Sequence, residues 1–457
     1  MARARFGTDG IRGLANADLT AEIATALGRA TARVLPAQRF AVGRDTRRSG
    51  PLLVAALTAG FASEGADVID LGVLPTPGVA NYCASRGMPG AVVSASHNPF
   101  FDNGIKILGP GGTKLTDEIE AAIEAEMASI LENPDASPRR PTGHSVGMVE
   151  SDPEAATSYV DYLIDSLETG SLSGMKIVVD CANGAATPVA TRVLSGLGAE
   201  VIAIGDEPDG VNINESSGST HPEGLCEAVV AQGADLGLAL DGDADRLVAV
   251  DHTGTVLDGD VLLALFALDL RRRGRLAGET VVVTVMTNLG FHRAMAAAGV
   301  GVRQVAVGDR NVLVALDAEG LSLGGEQSGH VIFRERATTG DGLLTGILLA
   351  DLIRREGKHL AELAAGSLTL FPQVLRAVPV VDAAALAGAD VIWARIAAAE
   401  AELGDRGRVL VRASGTEPVV RVMVEAEDGV IAENLAADLV DLVGTTLGSP
   451  VESGPVD

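Results

Sequence analysis

The stretch "LGLALDGDADR" (236–246) runs an apolar strand straight into Asp241, Asp243 and Asp245. Three carboxylates at alternate positions repel one another unless a cation sits among them. Oxygen-only donors at the end of a buried strand suit a hard ion such as Mg²⁺. An EF-hand is excluded: Arg246 holds the turn-glycine position and His252 that of the bidentate glutamate. A Walker B strand would need a companion GxxxxGK[ST], which the chain lacks. The ordinary alternative is a solvated acidic turn, which Gly242 and Ala244 would fit. The apolar strand that delivers the three Asp favours metal.

A second stretch, "SASHNPFFDNGIK" (94–106), places Ser96, His97, Asn98 and Lys106 between the apolar runs "GAVV" and "IKIL". A nucleophilic triad is a weak reading. Neighbouring residues on an extended backbone point apart, so His97 is expected to be a poor base for Ser96, and no G-x-S-x-G elbow occurs. A phosphorylated Ser96 makes better sense. It would carry about −1.5 to −2 charge, and its oxygens would complete the coordination of an ion held by the three Asp. The loop then holds a phosphoryl group for transfer, with Lys106 serving it. Arg is the chain's default cation, and Lys occurs only at 106, 114, 176 and 358, so a Lys in this loop is informative.

Further loops are weaker alone. "VRASGTEPVVRV" (411–422) offers an anion-binding turn with the hydroxyls of Ser414 and Thr416, and Arg412 and Arg421 for charged contacts to phosphate. "GGEQSGHVIF" (324–333) sets Glu326 and Ser328 two apart, so they can share a face and bind vicinal hydroxyls, with His330 following. "AVGDRNV" (306–312) and "FGTDGIRG" (6–13) are Gly/Asp/Arg loops.

These loops need elements to hold them. Segments 40–72, 177–205 and 281–308 each read as apolar strand, polar turn, Ala-rich helix, Gly, apolar strand, Gly. That order predicts βαβ units with largely parallel pairing, and three copies predict a triplicated unit. "NPDASPRRPTGHSVG" (133–147) reads as a linker, and "DHTGTVLDGD" (251–260) as a boundary turn. After about residue 368 the pattern changes to a strand near 371–379, a long helix near 383–402, two strands and a final helix. The expectation is four domains, at 1–150, 151–255, 256–368 and 369–457. The fold class is α/β: three similar βαβ-type domains with mixed, mainly parallel sheets, plus a smaller C-terminal α+β domain.

Composition sets outer limits. The 457 residues carry a formal charge of −26, which argues against a nucleic-acid surface. Three scattered cysteines, at 83, 181 and 226, indicate neither a disulfide framework nor a zinc site. No run reaches the roughly 18 apolar residues of a membrane span, and the N-terminal residues show no apolar signal region. A cytoplasmic protein without membrane or nucleic-acid partners is expected.

The four motifs "SASHNPFFDNGIK", "DGDADR", "GEQSGH" and "RASGTEP", in this order and spacing, resemble the α-D-phosphohexomutases over essentially the whole chain. "FGTDGIRG", "VGDR" and "GEQSGH" are most similar to the members that act on hexosamine phosphates. The resemblance implies four domains around a central cleft. It also implies transfer of a phosphoryl group between sugar oxygens through a phosphoserine enzyme and a 1,6-bisphosphate. Ser96 becomes the phosphoserine, binding Mg²⁺ together with Asp241, Asp243 and Asp245. Lys106 and His330 become acid/base groups. Arg12, Asn98, Arg246, Asp309, Glu326 and Ser328 become substrate contacts, with Glu326 and Ser328 on sugar hydroxyls. Arg412, Ser414, Gly415, Thr416 and Arg421 hold the phosphate that is not reacting. Within the class, glucose or mannose phosphates are alternative substrates. From other classes, a Mg²⁺-dependent sugar phosphatase would release phosphate without isomerisation. An inactive binder would have lost Ser96 or an Asp, and all four are kept.

Overall fold

Each of the three echoing segments folds as strand, helix and parallel strand in the computed structural model, which describes residues 6–7, 9–133, 140–414 and 418–448. The first sheet contains β1 (Ile11–Leu14), β2 (Arg39–Arg44), β3 (Asp67–Val73), β4 (Gly90–Val93), β5 (Asp102–Leu108) and β6 (Val149–Ser151), in the order β1-β5-β4-β2-β3-β6. The second contains β7 (Lys176–Asp180), β8 (Glu200–Ile204), β9 (Leu236–Leu240), β10 (Leu247–Asp251) and β11 (Val256–Leu257), in the order β11-β10-β9-β7-β8. The third contains β12 (Thr280–Thr284), β13 (Gly301–Val305), β14 (Leu323–Gly325) and β15 (Val331–Phe333), in the order β13-β12-β14-β15.

One pattern underlies all three sheets. A first strand (β2, β7 or β12) lies between two parallel neighbours: β3 and β4, β8 and β9, β13 and β14. A further strand (β5, β10 or β15) then pairs antiparallel with the second neighbour. The strands nearest the centre are apolar on both faces, as a sheet covered on both sides by helices requires. β4 and β9 are buried at every position. The helices Gly259–Arg272 and Gly342–Glu356 are buried along most of their length and are capped by Asp258 and Asp341.

The fourth sheet is antiparallel: β16 (Gln373–Pro379), β17 (Gly407–Ala413) and β18 (Val419–Ala426), in the order β16-β18-β17. The single helix expected near 383–402 is two elements, a 3₁₀ turn at Ala383–Gly388 and a helix at Asp390–Leu403. The break falls at Ala389, whose ψ of 70° is not helical.

The chain forms two compact units, Met1–Met286 with Gly299–Ser367, and Thr287–Ala298 with Leu368–Asp457. The crossover helix of the third repeat, Leu289–Ala297, thus belongs to the second unit. There the Leu289 N–H donates to Glu425 at 3.1 Å and Asn288 Nδ2 to the Phe371 carbonyl at 2.9 Å. No helix among the described residues is long and apolar enough to cross a membrane.

Candidate active site

Three of the motif loops occupy one and the same position of the repeated pattern, the connection inside each antiparallel pair. Ser96 lies between β4 and β5, the three Asp between β9 and β10, and Glu326 to His330 between β14 and β15. All three loops belong to the first unit, and their side chains meet there.

Ser96 is buried and left-handed, with φ 51°. Its Oγ donates to Asp241 Oδ2 at 2.5 Å. Gly242 permits this approach, because a Cβ there would stand 2.5 Å from the Ser96 carbonyl oxygen. The expected divergence of Ser96 and His97 is not observed: Oγ lies 3.3 Å from His97 Nδ1. The reason is backbone conformation, since a left-handed residue does not alternate its side chain as a strand does. The contact does not make His97 a strong base. Burial, then the charges of Arg246 and Arg12, push its imidazole down to about 4.

Carboxylate oxygens of Asp241, Asp243 and Asp245 lie within 4.8 Å of one another and all three residues are buried, the one such cluster among the described residues. Burial and the charges of Asp245 and Asp243 push the Asp241 carboxyl well above its usual range. Asp245 is held well below it, because Lys106, His330 and Arg246 outweigh burial. Asp243 Oδ1 and Asp245 Oδ1 are buried without a hydrogen-bond partner. A buried acceptor left unpaired is costly, and a hard divalent cation is the group that this donor set fits.

Lys106 reaches the same place from β5. Its Nζ is 3.0 Å from Asp243 and from Asp9, and 3.5 Å from Asp245. Burial alone would lower its proton affinity, but Asp243, Asp9 and Asp245 prevail and hold the ammonium well above its usual range. His330 is buried with both ring nitrogens engaged. Gly340 N–H donates to Nε2 at 3.0 Å, while Nδ1 lies 3.7 Å from Asp245. Asp245 and Asp309 outweigh burial and raise its affinity for a proton. A second proton can therefore enter only with loss of the Gly340 hydrogen bond.

Other motif residues are placed less directly. Asn98 folds back on its own loop, its amide donating to Asp102 at 3.0 Å. Arg246 lies beside Asp245 at 3.8 Å, and its backbone N–H donates to Asp241. Arg12 is paired with Asp9. Glu326 and Ser328 do not share a strand face, because a turn closes between Glu326 and Gly329. Glu326 is half-buried and accepts the Gly308 N–H at 3.0 Å, and Ser328 is exposed. In the second unit, Arg412 and Arg421 stand directly opposite each other on β17 and β18. Like charges so placed destabilise a sheet unless an anion joins them, and Arg412 Nε is buried without a partner. Ser414 donates its N–H to the Val419 carbonyl. Gly415 and Thr416 lie outside the described residues.

Sequence reasoning missed Asp9, Thr76 and Lys114. Lys114 lies 2.6 Å from Asp309 and 3.5 Å from Asp9. With His330 Nε2 3.7 Å from Asp309, the groups Asp245, Lys106, Asp9, Lys114, Asp309 and His330 close a ring in which carboxylates alternate with nitrogen groups. Thr76 donates to Asp243 Oδ2 at 2.6 Å. The scarcity of Lys was the available signal for Lys114.

Comparison with known proteins agrees with this architecture. The phosphoglucomutase/phosphomannomutase α/β/α domain I matches residues 3–134, domain II 157–254, domain III 258–371 and the C-terminal domain 375–442. The chain belongs to the phosphoglucomutase/phosphomannomutase family and is an isomerase of the phosphohexomutase type. A phosphoglucosamine mutase of Saccharopolyspora erythraea is 53% identical over 445 residues, 96% of this chain and 98% of that protein. One of Desulforamulus reducens is 50% identical over 444 residues, 96% and 99% of the two chains. Among solved structures, a phosphoglucomutase/phosphomannomutase family protein of Burkholderia thailandensis superposes with a TM-score of 0.81 at 27% identity, covering 97% of this chain and 98% of that one.

Proposed function

We propose that the protein interconverts glucosamine 6-phosphate and glucosamine 1-phosphate. The observation that carries the chemistry is the Ser96 hydroxyl held 2.5 Å from Asp241 inside the buried acidic cluster. Relatives at 50 and 53% identity that bear the name phosphoglucosamine mutase support the choice of sugar.

In this reading phospho-Ser96 gives its phosphoryl group to O1 of the 6-phosphate. The 1,6-bisphosphate turns over, and the phosphoryl on O6 returns to Ser96. Asp241, Asp243, Asp245 and the Ser96 phosphoryl group would hold Mg²⁺, which would supply positive charge to the transferring group. Lys106 carries the proton between the sugar hydroxyl and the serine oxygen. His330 is the second acid/base group and would use Nε2 on releasing Gly340. Glu326 and Ser328 read sugar hydroxyls, with Arg12, Asn98, Arg246 and Asp309 around them. Arg412, Ser414, Gly415, Thr416 and Arg421 take the idle phosphate.

Relative kcat/KM on glucosamine, glucose and mannose 6-phosphates tests the assignment. Glucosamine 6-phosphate is expected to lead by at least about tenfold, the order that one hydrogen bond to a charged group supplies. Equal or better use of glucose or mannose phosphate would overturn it, as would phosphate release without isomerisation.

The metal reading gives a separate expectation. Asp243→Asn removes an anionic hard ligand, so its activity deficit should shrink as Mg²⁺ is raised, and Mg²⁺ titration followed by calorimetry should show weaker binding. A deficit indifferent to Mg²⁺, with unchanged binding, would make the cluster a structural turn.

A further inference from the structure

We propose that Arg47 is the positioning residue that holds Ser96 in its left-handed, transfer-competent conformation. The inference rests on the assignment of Ser96 as the phosphoryl carrier. Arg47 closes the "GRDTR" segment that leaves the end of β2, has no exposed surface and forms its ion pair with Asp45 rather than with the three Asp of the acidic cluster. Its guanidinium is spent on backbone. Nη2 donates to the carbonyls of Ser96 at 2.9 Å and Asn98 at 2.7 Å, and Nη1 donates to those of Pro99 and, at 3.1 Å, Asp102. Nε donates to Asp45 Oδ2 at 2.8 Å. The same Asp45 oxygen accepts the Ser94 hydroxyl at 2.6 Å, whose oxygen in turn accepts the Ser96 N–H at 3.0 Å. Ser96 is thus gripped at its carbonyl and at its amide by one buried ion pair.

Asn214 grips from the second domain: Nδ2 donates to the Ser96 and Asn98 carbonyls at 2.9 and 3.0 Å. A serine at φ 51° leaves the favoured backbone regions and persists only where its surroundings impose it. The surroundings here are two side chains that converge on the same two carbonyls. Only a guanidinium has five donors in a fixed fork, so a lysine can keep the charge but not the grip. Transfer requires the serine oxygen in line with the attacking sugar oxygen, and a displacement of about 1 Å can cost about 10²-fold in rate.

The test compares wild type, Arg47→Lys and Asn214→Gly, the glycine chosen because Asn214 is itself left-handed at φ 59°. Arg47→Lys is expected to lose about 10²-fold in kcat, with KM and calorimetric Mg²⁺ affinity close to wild type. Hydrogen exchange measured by mass spectrometry should rise in the peptide spanning 94–104 and nowhere else. Asn214→Gly should show the same pattern with a smaller loss, about tenfold, since it removes two of the six side-chain bonds to these carbonyls. Near-wild-type kcat in a folded Arg47→Lys enzyme overturns the proposal, as does exchange that rises throughout the first unit with Mg²⁺ affinity falling in step. Should Arg47→Lys fail to fold, the Asn214→Gly result decides by the same criteria. A wild type without mutase activity would overturn the functional assignment alone, and the exchange of 94–104 would still judge the clamp.

Discussion

A Ser96→Ala enzyme folds, binds Mg²⁺ and does not turn over: this is the expected result with the largest effect. Oγ of Ser96 is the atom that carries the phosphoryl group in the proposed reaction, and alanine offers no replacement. Removing a covalent carrier costs at least on the order of 10⁴-fold. The fold should survive because the Ser96 backbone is held from both sides and the lost side-chain contacts are those to Asp241 and His97. One other hydroxyl touches the acidic cluster among the described residues, that of Thr76. It already donates to Asp243, and its rescue of the mutant would be visible as phosphate on Thr76. Intact-mass measurement should show one phosphate on a fraction of wild-type molecules and none on Ser96→Ala. Full activity in the mutant, or phosphate retained elsewhere, would end the phosphoserine mechanism.

The second large effect concerns Lys106, where charge and proton transfer can be separated. Lys106 is buried and faces Asp243, Asp9 and Asp245, which together keep it protonated when their charge is free. Asp243 and Asp245 would also hold the ion, whose charge would weaken their hold on the Lys106 proton. In the proposed reaction the Lys106 ammonium gives a proton to the departing serine oxygen and recovers one from the sugar hydroxyl. Arginine keeps the positive charge but cannot lose its proton in any useful pH range. Lys106→Arg should therefore lose about 10²–10⁴-fold in kcat, the usual contribution of a general acid or base, with Mg²⁺ affinity and Ser96 phosphate occupancy little changed. Lys106→Ala should be at least as severe. If Lys106→Arg instead keeps near-wild-type kcat while Lys106→Ala is crippled, the residue supplies charge only.

Much of this was readable before any coordinates. The three βαβ units stood out because buried parallel strands are short unbroken apolar runs, set off from their helices by glycine. Ser96 and the three Asp stood out because polar residues at strand ends are hard to explain by packing. What stayed hidden depends on tertiary approach. Arg47 reads as one arginine among many, and nothing local reveals that its guanidinium meets four carbonyls some fifty residues away. Asp9 and Lys114 acquire meaning only through a ring that joins the first repeat to the third. The left-handed turn at Ser96 was missed because serine carries no local mark of it, and with it went the contact to His97. The third crossover helix packs in the other unit although its sequence follows the repeat, because its partners Phe371 and Glu425 come from much later in the chain.

The repeated hairpin connection has a consequence for how such a site can arise. A single ancestral segment that assembled as three identical copies would present the same loop three times, all nucleophile or all acid. Joining the copies in one reading frame frees each loop to drift alone while the sheets beneath remain under common constraint. In the proposed reaction, division of labour is the outcome: one loop would serve as the carrier, another as the seat for the ion, and the last as the reader of the sugar. Exchanging whole hairpin loops between the three domains should thus disturb chemistry far more than architecture.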